Sequence, residues 1–219
     1  PPRMASGHHR IQARTEAYPK ICEGEMARET SVVTPQRFSE GFSYSAYIDQ
    51  INVNKARMQG FYDGCKITSG DAQALKDLVA RPDGPKKMLV LGEDWCGDVV
   101  RGLPVLARIA EAAGLEMSIF PRDQHHDIMN EFLKNGEYMS IPVAVFYTGD
   151  HSYIGHWIER PEIAEREMHE IEEGIRAENP DIDDQAFGRE RRARTAAKTD
   201  SWIEATIQEI KNLLAERVA

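Results

Sequence analysis

The sequence predicts an α/β fold, a mixed sheet flanked by helices, with further helices before and after it. An apolar run at 87–91 has the length of one buried strand. Apolar residues recur at helical spacing over 97–113, Gly114 offers a C-cap, and a second apolar run spans 115–120. Because this connection is long enough for a crossover, the two strands are expected to lie parallel.

The segment before the sheet is expected to begin with a loose, polar arm over residues 1–34. Apolar residues then recur at helical spacing over 38–61, which predicts helix. Asn52 and Gly60 interrupt that pattern, so we expect a helix with a break rather than one continuous rod.

A second short helix is predicted over 72–79, with Ser69 or Asp71 as its N-cap. The sequence Arg-Pro-Asp-Gly-Pro at 81–85 is a strong helix breaker and marks a boundary. Residues 35–84 are therefore predicted to form a helical N-terminal extension.

The sheet domain is predicted to continue with a helix over 127–134 and then a hairpin. The hairpin strands are 142–147 and 153–158, and the turn residues Thr-Gly-Asp lie between them. A helix that starts at Pro161 and runs to about residue 177 would complete the domain, since proline is favoured in the first helical turn.

An Asn-Pro pair at 179–180 ends that helix, so the domain is assigned to 85–178 and a C-terminal helical extension to 179–219. An amphipathic helix is predicted over 202–218. Its apolar stripe needs burial, either on the domain or on a partner, which leaves a homo-oligomer open.

Charge excludes several classes of function. With 27 basic and 36 acidic side chains the net charge is −9, which argues against general binding to nucleic acid or anionic membranes. No apolar run is long enough to predict a membrane-spanning helix. The basic run at 189–198 is interpreted as a solvated helix face rather than a dock for RNA or an acidic partner.

The three cysteines, Cys22, Cys65 and Cys96, are odd in number and irregularly spaced. Such a set does not resemble the disulfide framework of a secreted fold. The first twenty residues also lack the apolar core of a signal peptide. Free thiols in a reducing cytoplasm are therefore expected.

Cys96 stands where the first predicted strand ends and a helix begins. The N–H groups and dipole of a helix N-terminus favour a thiolate there. Glu93, Asp94 and Asp98 would oppose the thiolate through like charge. Since exposed charges count for less than well-aimed N–H groups, a modestly lowered pKa is expected for Cys96.

Three local features resemble the thioredoxin superfamily over about residues 86–178. Trp95-Cys96-Gly97 is similar to the start of the thioredoxin active-site motif. Pro104 falls in the following helix, where that family often carries a kinking proline. Ser140-Ile141-Pro142 resembles the cis-proline loop that faces the active cysteine. The resemblance implies a thioredoxin-like mixed sheet flanked by helices.

Two longer phrases are similar to a bacterial branch of this superfamily that has a helical N-terminal extension. They are Glu-Asp-Trp-Cys-Gly-Asp at 93–98 and Trp-Ile-Glu-Arg-Pro at 157–161. The chain departs from thioredoxin itself in three places. Val99 replaces the resolving cysteine, Asp98 the usual proline, and Val90 a buried carboxylate. Ordinary dithiol turnover is therefore not expected.

The resemblance implies that Cys96 is the nucleophile of thiol–disulfide exchange, or of mixed-disulfide trapping. The substrate would then contact Trp95, Gly97, Ile141 and Pro142. Its extended chain would pair with the cis-proline loop as an added strand. The expected partner is a client protein or a low-molecular-weight thiol.

Without a cysteine at position 99, release of a client needs another thiol. Cys65 is the resolving candidate in a structured region, and Cys22 is a second candidate on the arm. No cofactor is expected. A metal at the His125-His126 pair is not expected either, since zinc-ligand spacing is absent. The alternative function is a non-catalytic thioredoxin-fold binding or scaffold module, so the sequence leaves open whether the protein is an enzyme.

Overall fold

Four strands form one mixed sheet in the computed structural model, which describes residues 31–218. The strands are β1 (Lys87–Gly92), β2 (Glu116–Pro121), β3 (Val143–Tyr147) and β4 (Tyr153–Ile158), in the spatial order β2-β1-β3-β4. β1 pairs in parallel with β2 and antiparallel with β3, which pairs antiparallel with β4. The predicted mixed α/β sheet flanked by helices is confirmed.

Helices precede, connect and follow these strands. They are α1 (Pro35–Phe38), α2 (Tyr44–Gln50), α3 (Lys55–Gly64), α4 (Ser69–Ala80), α5 (Gly97–Ala113), α6 (His126–Met129), α7 (Glu162–Glu178), α8 (Asp184–Ala196) and α9 (Thr199–Arg217). A 3₁₀ turn, Arg122–Gln124, follows β2. No helix within 31–218 combines the length and apolar character that crossing a bilayer requires.

The centre of the fold is β1 packed beneath α5. Five of the six β1 residues are buried, as expected for a strand covered on both faces. One face of α5 is completely buried, at Leu103, Leu106 and Ile109. That helix ends where the sequence predicts, because Gly114 adopts the left-handed conformation (φ 79°) that a C-cap of this kind needs.

The predicted break in the 38–61 helix is confirmed, and it lies at residues 51–54 between α2 and α3. Asn54 adopts a left-handed conformation there (φ 58°). The N-cap prediction for α4 is wrong. Thr68, rather than Ser69 or Asp71, accepts the Asp71 N–H at 3.1 Å, and its hydroxyl donates to the Asp71 carboxylate.

Replacing the Thr68 cap with alanine should destabilise the protein by about 1 kcal/mol, because the first turn of α4 loses its side-chain acceptor. Chemical unfolding measures this directly. Thr68→Ser keeps the hydroxyl and serves as the matched control. Equal losses in both variants would mean that the methyl group, and not the cap, is responsible.

Two predictions of length also need correction. The helix predicted over 127–134 is only the single turn α6, because the chain then forms a bridge between Lys134 and Tyr138. Asn135 and Gly136 take positive φ angles to make that turn. The last helix, α9, begins three residues before its predicted start at 202.

The basic run at 189–198 lies mainly on α8, which confirms its helical character, although no bounds were predicted for this helix. Its arginines pair with acidic side chains of α7. Arg191 contacts Glu172 at 2.9 Å and Arg194 contacts Glu178 at 2.5 Å. The charges therefore join two surface helices.

The N-terminal extension shares its core with the sheet. Residues 1–30 of the predicted arm lie outside the described residues, but its last residues are packed. Val33 is only 2% exposed, and the His151 ring contacts its carbonyl oxygen at 2.9 Å. Phe42 extends the contact as an isolated bridge to Ile119 of β2.

The C-terminal extension is fixed to the N-terminal one as well as to the sheet. Ile210 of α9 is fully buried in the same core. Lys211 of α9 pairs with Asp71 of α4 at 2.5 Å, and Arg81 donates to the carbonyl of buried Val218. Residues 35–84, 85–178 and 179–218 therefore share one hydrophobic core.

Candidate functional site

Cys96 is the N-cap of α5, in the turn that leaves β1. The strand and the helix approach closely here, since a Cβ on Gly92 would lie 2.9 Å from a Val99 methyl carbon. Val99 is fully buried. The position at which a second cysteine would stand is thus occupied by a core side chain.

The Cys96 sulfur lies between the first turn of α5 and the 140–142 loop. The backbone N–H groups of Asp98 and Val99 lower its pKa, although the Cys96 side chain forms no capping hydrogen bond. The thiol donates to the Ile141 carbonyl oxygen at 3.6 Å. Sulfur, helix N-terminus and the 140–142 loop therefore lie together, and a group bound at the sulfur would meet the backbone of that loop.

The pKa of Cys96 is raised, so the expectation of a lowered pKa is wrong. Burial is the largest cause, because it disfavours the charged thiolate. The N–H groups of Val99 and Asp98 and the charge of Arg160 lower the pKa, while the Asp98 carboxylate raises it. The helix N-terminus acts as expected, but it does not offset the loss of hydration.

Two of the predicted pKa modulators, Glu93 and Asp94, accept hydrogen bonds from backbone N–H groups of neighbouring loops. The Glu93 carboxylate accepts the Asp123 N–H at 2.7 Å. Asp94 accepts the N–H groups of Asn52 and Val53 at 3.0 and 3.1 Å. Both therefore fasten the Cys96 turn to neighbouring loops, and neither is among the main causes of the Cys96 pKa shift.

Asp98 is the modulator that the structure keeps beside the thiol. Its two oxygens pair with Arg101 at 2.6 Å and with Arg160 at 2.8 Å. Arg160 also pairs with Glu159, whose other oxygen contacts Lys134 at 2.8 Å. A network of part-buried charges thus runs from α5 to the end of β4.

Trp95 and Gly97 lie on the exposed side of the turn. Trp95 is 54% exposed, and the Arg122 guanidinium lies 5.0 Å from the centre of its ring. Arg122 also donates to the Met139 carbonyl at 3.1 Å. Tyr138 and Met139 are themselves exposed. Trp95 precedes Cys96, and Tyr138 and Met139 precede the 140–142 loop that accepts from its thiol; these three exposed side chains are called the apolar rim.

The Ile141–Pro142 peptide bond is cis. Ile141 is buried, and the Pro142 carbonyl accepts the N–H of Glu159 at 2.6 Å. Gly102 of α5 admits the proline ring, since a Cβ there would lie 3.0 Å from Pro142 Cγ. The structure therefore brings Pro142 against the same helix whose N-cap is Cys96.

Cys65 does not lie near Cys96. The N-terminus of α3 is tied to the Cys96 turn, because Asn54 donates to the Asp94 carbonyl at 2.8 Å. Cys65 follows the opposite end of α3, about 15 Å along the helix axis. A disulfide needs Cα atoms within about 7 Å. Cys65 is also buried, which raises its pKa, and Cys22 lies outside the described residues.

The histidine pair has structural contacts. The His125 ring contacts the Pro121 carbonyl at 2.8 Å and packs edge-on against Phe120. Among residues 31–218 no three His, Cys, Asp or Glu side chains converge as a metal site.

Arg122, Arg160 and Gly102 are site residues that the sequence analysis did not single out. Arg160 does occur in one of the phrases on which the resemblance rests. Its contact with Asp98 spans 62 positions, however, and no local spacing indicates it.

A family model described as thioredoxin matches residues 41–192 of the chain. This span includes all four strands and the Cys96 turn. The comparison with curated proteins gives no match.

Two solved structures are similar in fold. One is a protein of unknown function from Pseudomonas aeruginosa, 17% identical, with a TM-score of 0.61 over 84% of this chain and 98% of that chain. The other is an HIV epitope-scaffold, also 17% identical, with a TM-score of 0.58 over 82% of this chain and 95% of that chain. At these identities the likeness concerns the fold alone.

Proposed function

The chain belongs to the thioredoxin family, and from that premise we propose that it forms mixed disulfides through Cys96 with client proteins or low-molecular-weight thiols. The observation that carries the proposal is the surroundings of the Cys96 sulfur. The N–H groups of Asp98 and Val99, in the first turn of α5, lower the pKa of the thiol, and the thiol donates to the Ile141 carbonyl oxygen at 3.6 Å. N–H groups in this position stabilise a thiolate and orient it for attack.

The chemical step is thiol–disulfide exchange. The Cys96 thiolate attacks one sulfur of a client disulfide, a new bond joins Cys96 to that sulfur, and the other sulfur leaves as a thiolate. A thiolate from a second molecule then attacks the client sulfur and releases Cys96 in its reduced form. The client sulfur is then bonded to the sulfur of the incoming thiol, so the full cycle exchanges one disulfide for another without net oxidation or reduction.

The second half of this cycle is expected to be slow without an added thiol. Val99 supplies no thiol at the position next to Cys96 in the first helical turn, and Cys65 lies at the far end of α3. The mixed disulfide therefore persists until an external thiol arrives. This favours trapping over rapid turnover.

The raised pKa of Cys96 also favours slow turnover. Only a small fraction of the thiol is ionised at neutral pH, although each thiolate is more nucleophilic than one of low pKa. Formation of the mixed disulfide should consequently be slow and accelerate as the pH rises.

A client peptide would bind across the turn beside Cys96. The exposed rim of Trp95, Tyr138 and Met139 offers apolar contact next to the sulfur. The backbone of the 140–142 loop would pair with an extended client, and Gly97 leaves the entrance open since no atom lies within 4 Å of a Cβ built there. We assign this activity to the cytoplasm, where Cys65 and Cys96 would stay reduced.

In a protein that already carries Cys22→Ala, replacing Cys96 with serine should abolish mixed-disulfide formation with glutathione disulfide, because the variant has no nucleophilic sulfur in the turn. Intact-protein mass spectrometry would follow the added glutathione and its removal by dithiothreitol. Cys65→Ala is the matched control and should retain the adduct. Adduct formation that survives in Cys96→Ser would refute the proposal.

The second candidate function is a non-catalytic binding module, and the partial burial of Cys96 together with the exposed rim favours it. In that case a partner binds the rim without any covalent step. Cys96→Ser would then keep the partner under reducing conditions, whereas Trp95→Ala would lose it. The covalent proposal expects the partner to disappear with the cysteine.

A further inference from the structure

One side chain, Arg122, joins the Cys96 turn to the loop that carries Pro142. Its guanidinium lies 5.0 Å from the centre of the Trp95 ring, on the turn, and donates to the Met139 carbonyl oxygen at 3.1 Å, on the loop. Arg122 itself lies in the 3₁₀ turn that follows β2. Three segments that are far apart in sequence therefore meet at one guanidinium.

The Arg122 side chain is held in this position by further contacts. Its Nε and one terminal nitrogen both donate to the Asp123 carboxylate, at 2.9 and 2.6 Å. The Asp123 N–H donates in turn to the Glu93 carboxylate at 2.7 Å, which ties the 3₁₀ turn to the Cys96 turn. Most of the Arg122 side chain is buried among these neighbours. Its orientation is therefore set within the protein itself.

Arg122 holds two of the three residues of the apolar rim. It lies over the ring of Trp95 and binds the backbone of Met139, yet both side chains keep exposed apolar surface. Ordering exposed side chains at an interface costs free energy when a ligand binds. Because Arg122 orders this part of the rim in advance, it lowers that cost.

The loop is fixed at two points beside the sulfur. Arg122 binds it at the Met139 carbonyl, and the Cys96 thiol donates to the Ile141 carbonyl two residues later. The first contact limits how far the loop can move from the turn. A peptide paired with this loop would therefore meet the sulfur in one fixed geometry, which favours attack.

Charge at the turn disfavours an anionic client. Glu93 and Asp94 accept backbone N–H groups, and within residues 31–218 neither forms an ion pair with a lysine or arginine. The Arg122 guanidinium is already paired with Asp123 at 2.6 Å. The turn therefore keeps excess negative charge, which repels an anionic small disulfide such as glutathione disulfide but not a neutral peptide.

We propose that Arg122 is a positioning residue for client attack, because it holds Trp95 and the 138–142 loop in place for an extended, uncharged peptide with a disulfide-bonded cysteine. The inference rests on the proposed function and narrows its clients from any disulfide to peptide segments. The Cys96 thiolate forms a bond to the peptide sulfur, and the other sulfur of the client disulfide leaves as a thiolate. Arg122 acts on this step through Trp95 and Met139.

Two mixed disulfides of thionitrobenzoate test this role in the Cys22→Ala protein. One carries a neutral pentapeptide with apolar residues on both sides of its cysteine, and the other carries mercaptoethanol. Attack by Cys96 releases the same coloured thiolate from each, and mass spectrometry of the Cys96 peptide confirms the site. Arg122→Gln should lower the ratio of the peptide rate to the mercaptoethanol rate by about threefold to tenfold, the size of one hydrogen bond with a cation–π contact. The ratio cancels any change in the thiol itself.

Arg57→Gln is the matched control. It removes the same charge from α3, near the Cys96 turn, but Arg57 contacts the Asn54 side chain instead of the rim. Its ratio should remain that of the parent protein. A ratio unchanged in Arg122→Gln, or lowered equally in both variants, overturns the role of Arg122 while leaving exchange at Cys96 intact. Equal rates of the two compounds with the parent protein would overturn the preference for peptides. If neither compound reacts at Cys96, the proposed function itself fails.

Tryptophan fluorescence gives a second readout that a loss of stability alone would not move. Trp157 and Trp202 are buried, so acrylamide quenches chiefly Trp95 in the folded protein. Arg122→Gln should raise the quenching constant, because the guanidinium no longer lies over the ring. A quenching constant equal to that of the parent protein would mean that Arg122 does not hold Trp95, and would overturn the proposal.

Discussion

Val99→Cys should shorten the lifetime of a mixed disulfide at Cys96 by about 100-fold or more, because an attacking thiol then stands within the same molecule. Cα atoms three residues apart in a helical turn are separated by about 5–6 Å, within the range that a disulfide spans. The new thiolate at position 99 attacks the Cys96 sulfur, forms an internal disulfide and releases the client as a thiolate. The decay of a glutathione adduct, followed by mass spectrometry without added thiol, measures the effect.

Val99→Ala separates this chemistry from a loss of packing. Val99 is fully buried against Gly92, so both variants disturb the core in the same place. The alanine variant should lose some stability, and its adduct should persist as in the wild type. An adduct that persists equally in the cysteine variant would show that Val99 is not the reason for trapping.

Asp98→Asn should lower the pKa of Cys96 and raise its alkylation rate at neutral pH by roughly threefold to tenfold, the size of one charge–charge interaction in a part-buried site. The Asp98 carboxylate raises the thiol pKa, and its removal also leaves Arg160 less neutralised. The midpoint of the rate against pH therefore moves to lower pH. Iodoacetamide labelling of the Cys96 peptide across a pH series gives that midpoint.

Arg160→Gln tests the opposite electrostatic effect on the same thiol. The charge of Arg160 lowers the pKa of Cys96, so its removal should move the midpoint to higher pH and slow alkylation. Glu111→Gln is the control for Asp98→Asn. It removes one negative charge from the far end of the same helix, α5, and should leave the midpoint unchanged. Shifts of Asp98→Asn and Arg160→Gln in the same direction would contradict this electrostatic account.

Asp98→Asn should also cost about 1–3 kcal/mol of stability, because two part-buried guanidinium groups lose their shared carboxylate. Chemical unfolding of the variant measures this cost. It also checks that a faster alkylation rate comes from the folded protein.

Elements with a strong local pattern could be predicted from the sequence. The α5 boundaries follow from a long apolar stripe that a glycine ends at position 114. The hairpin of β3 and β4 follows from two apolar runs around a Thr-Gly-Asp turn. These signals lie within a few residues of the structure that they produce.

Helix α8 shows the opposite case. It has few apolar residues, and its arginines pair with acidic side chains of α7, as Arg194 does with Glu178. Such pairs are visible only once the two helices are placed side by side. The basic run indicated a helix face, but periodicity alone did not give the bounds of this helix.

The candidate site also has features that local sequence patterns predict and features that depend on distant contacts. Cys96, Trp95 and Pro142 could be found because short motifs carry them. The direction of the Cys96 pKa shift could not, because it depends on how deeply the fold buries the sulfur and on Arg160, which is distant in sequence. The tasks of Glu93 and Asp94 likewise depend on loops that pack against the turn.

The contact between α4 and α9 joins the N-terminal extension to the last helix of the described chain. Lys211 contacts Asp71, and Arg81 donates to the Val218 carbonyl. Removing either helix would leave the other with an uncovered apolar face and an unpartnered charge. A chain shortened through either helix is therefore expected to become sensitive to proteolysis at the remaining one, so the two extensions can be trimmed only together.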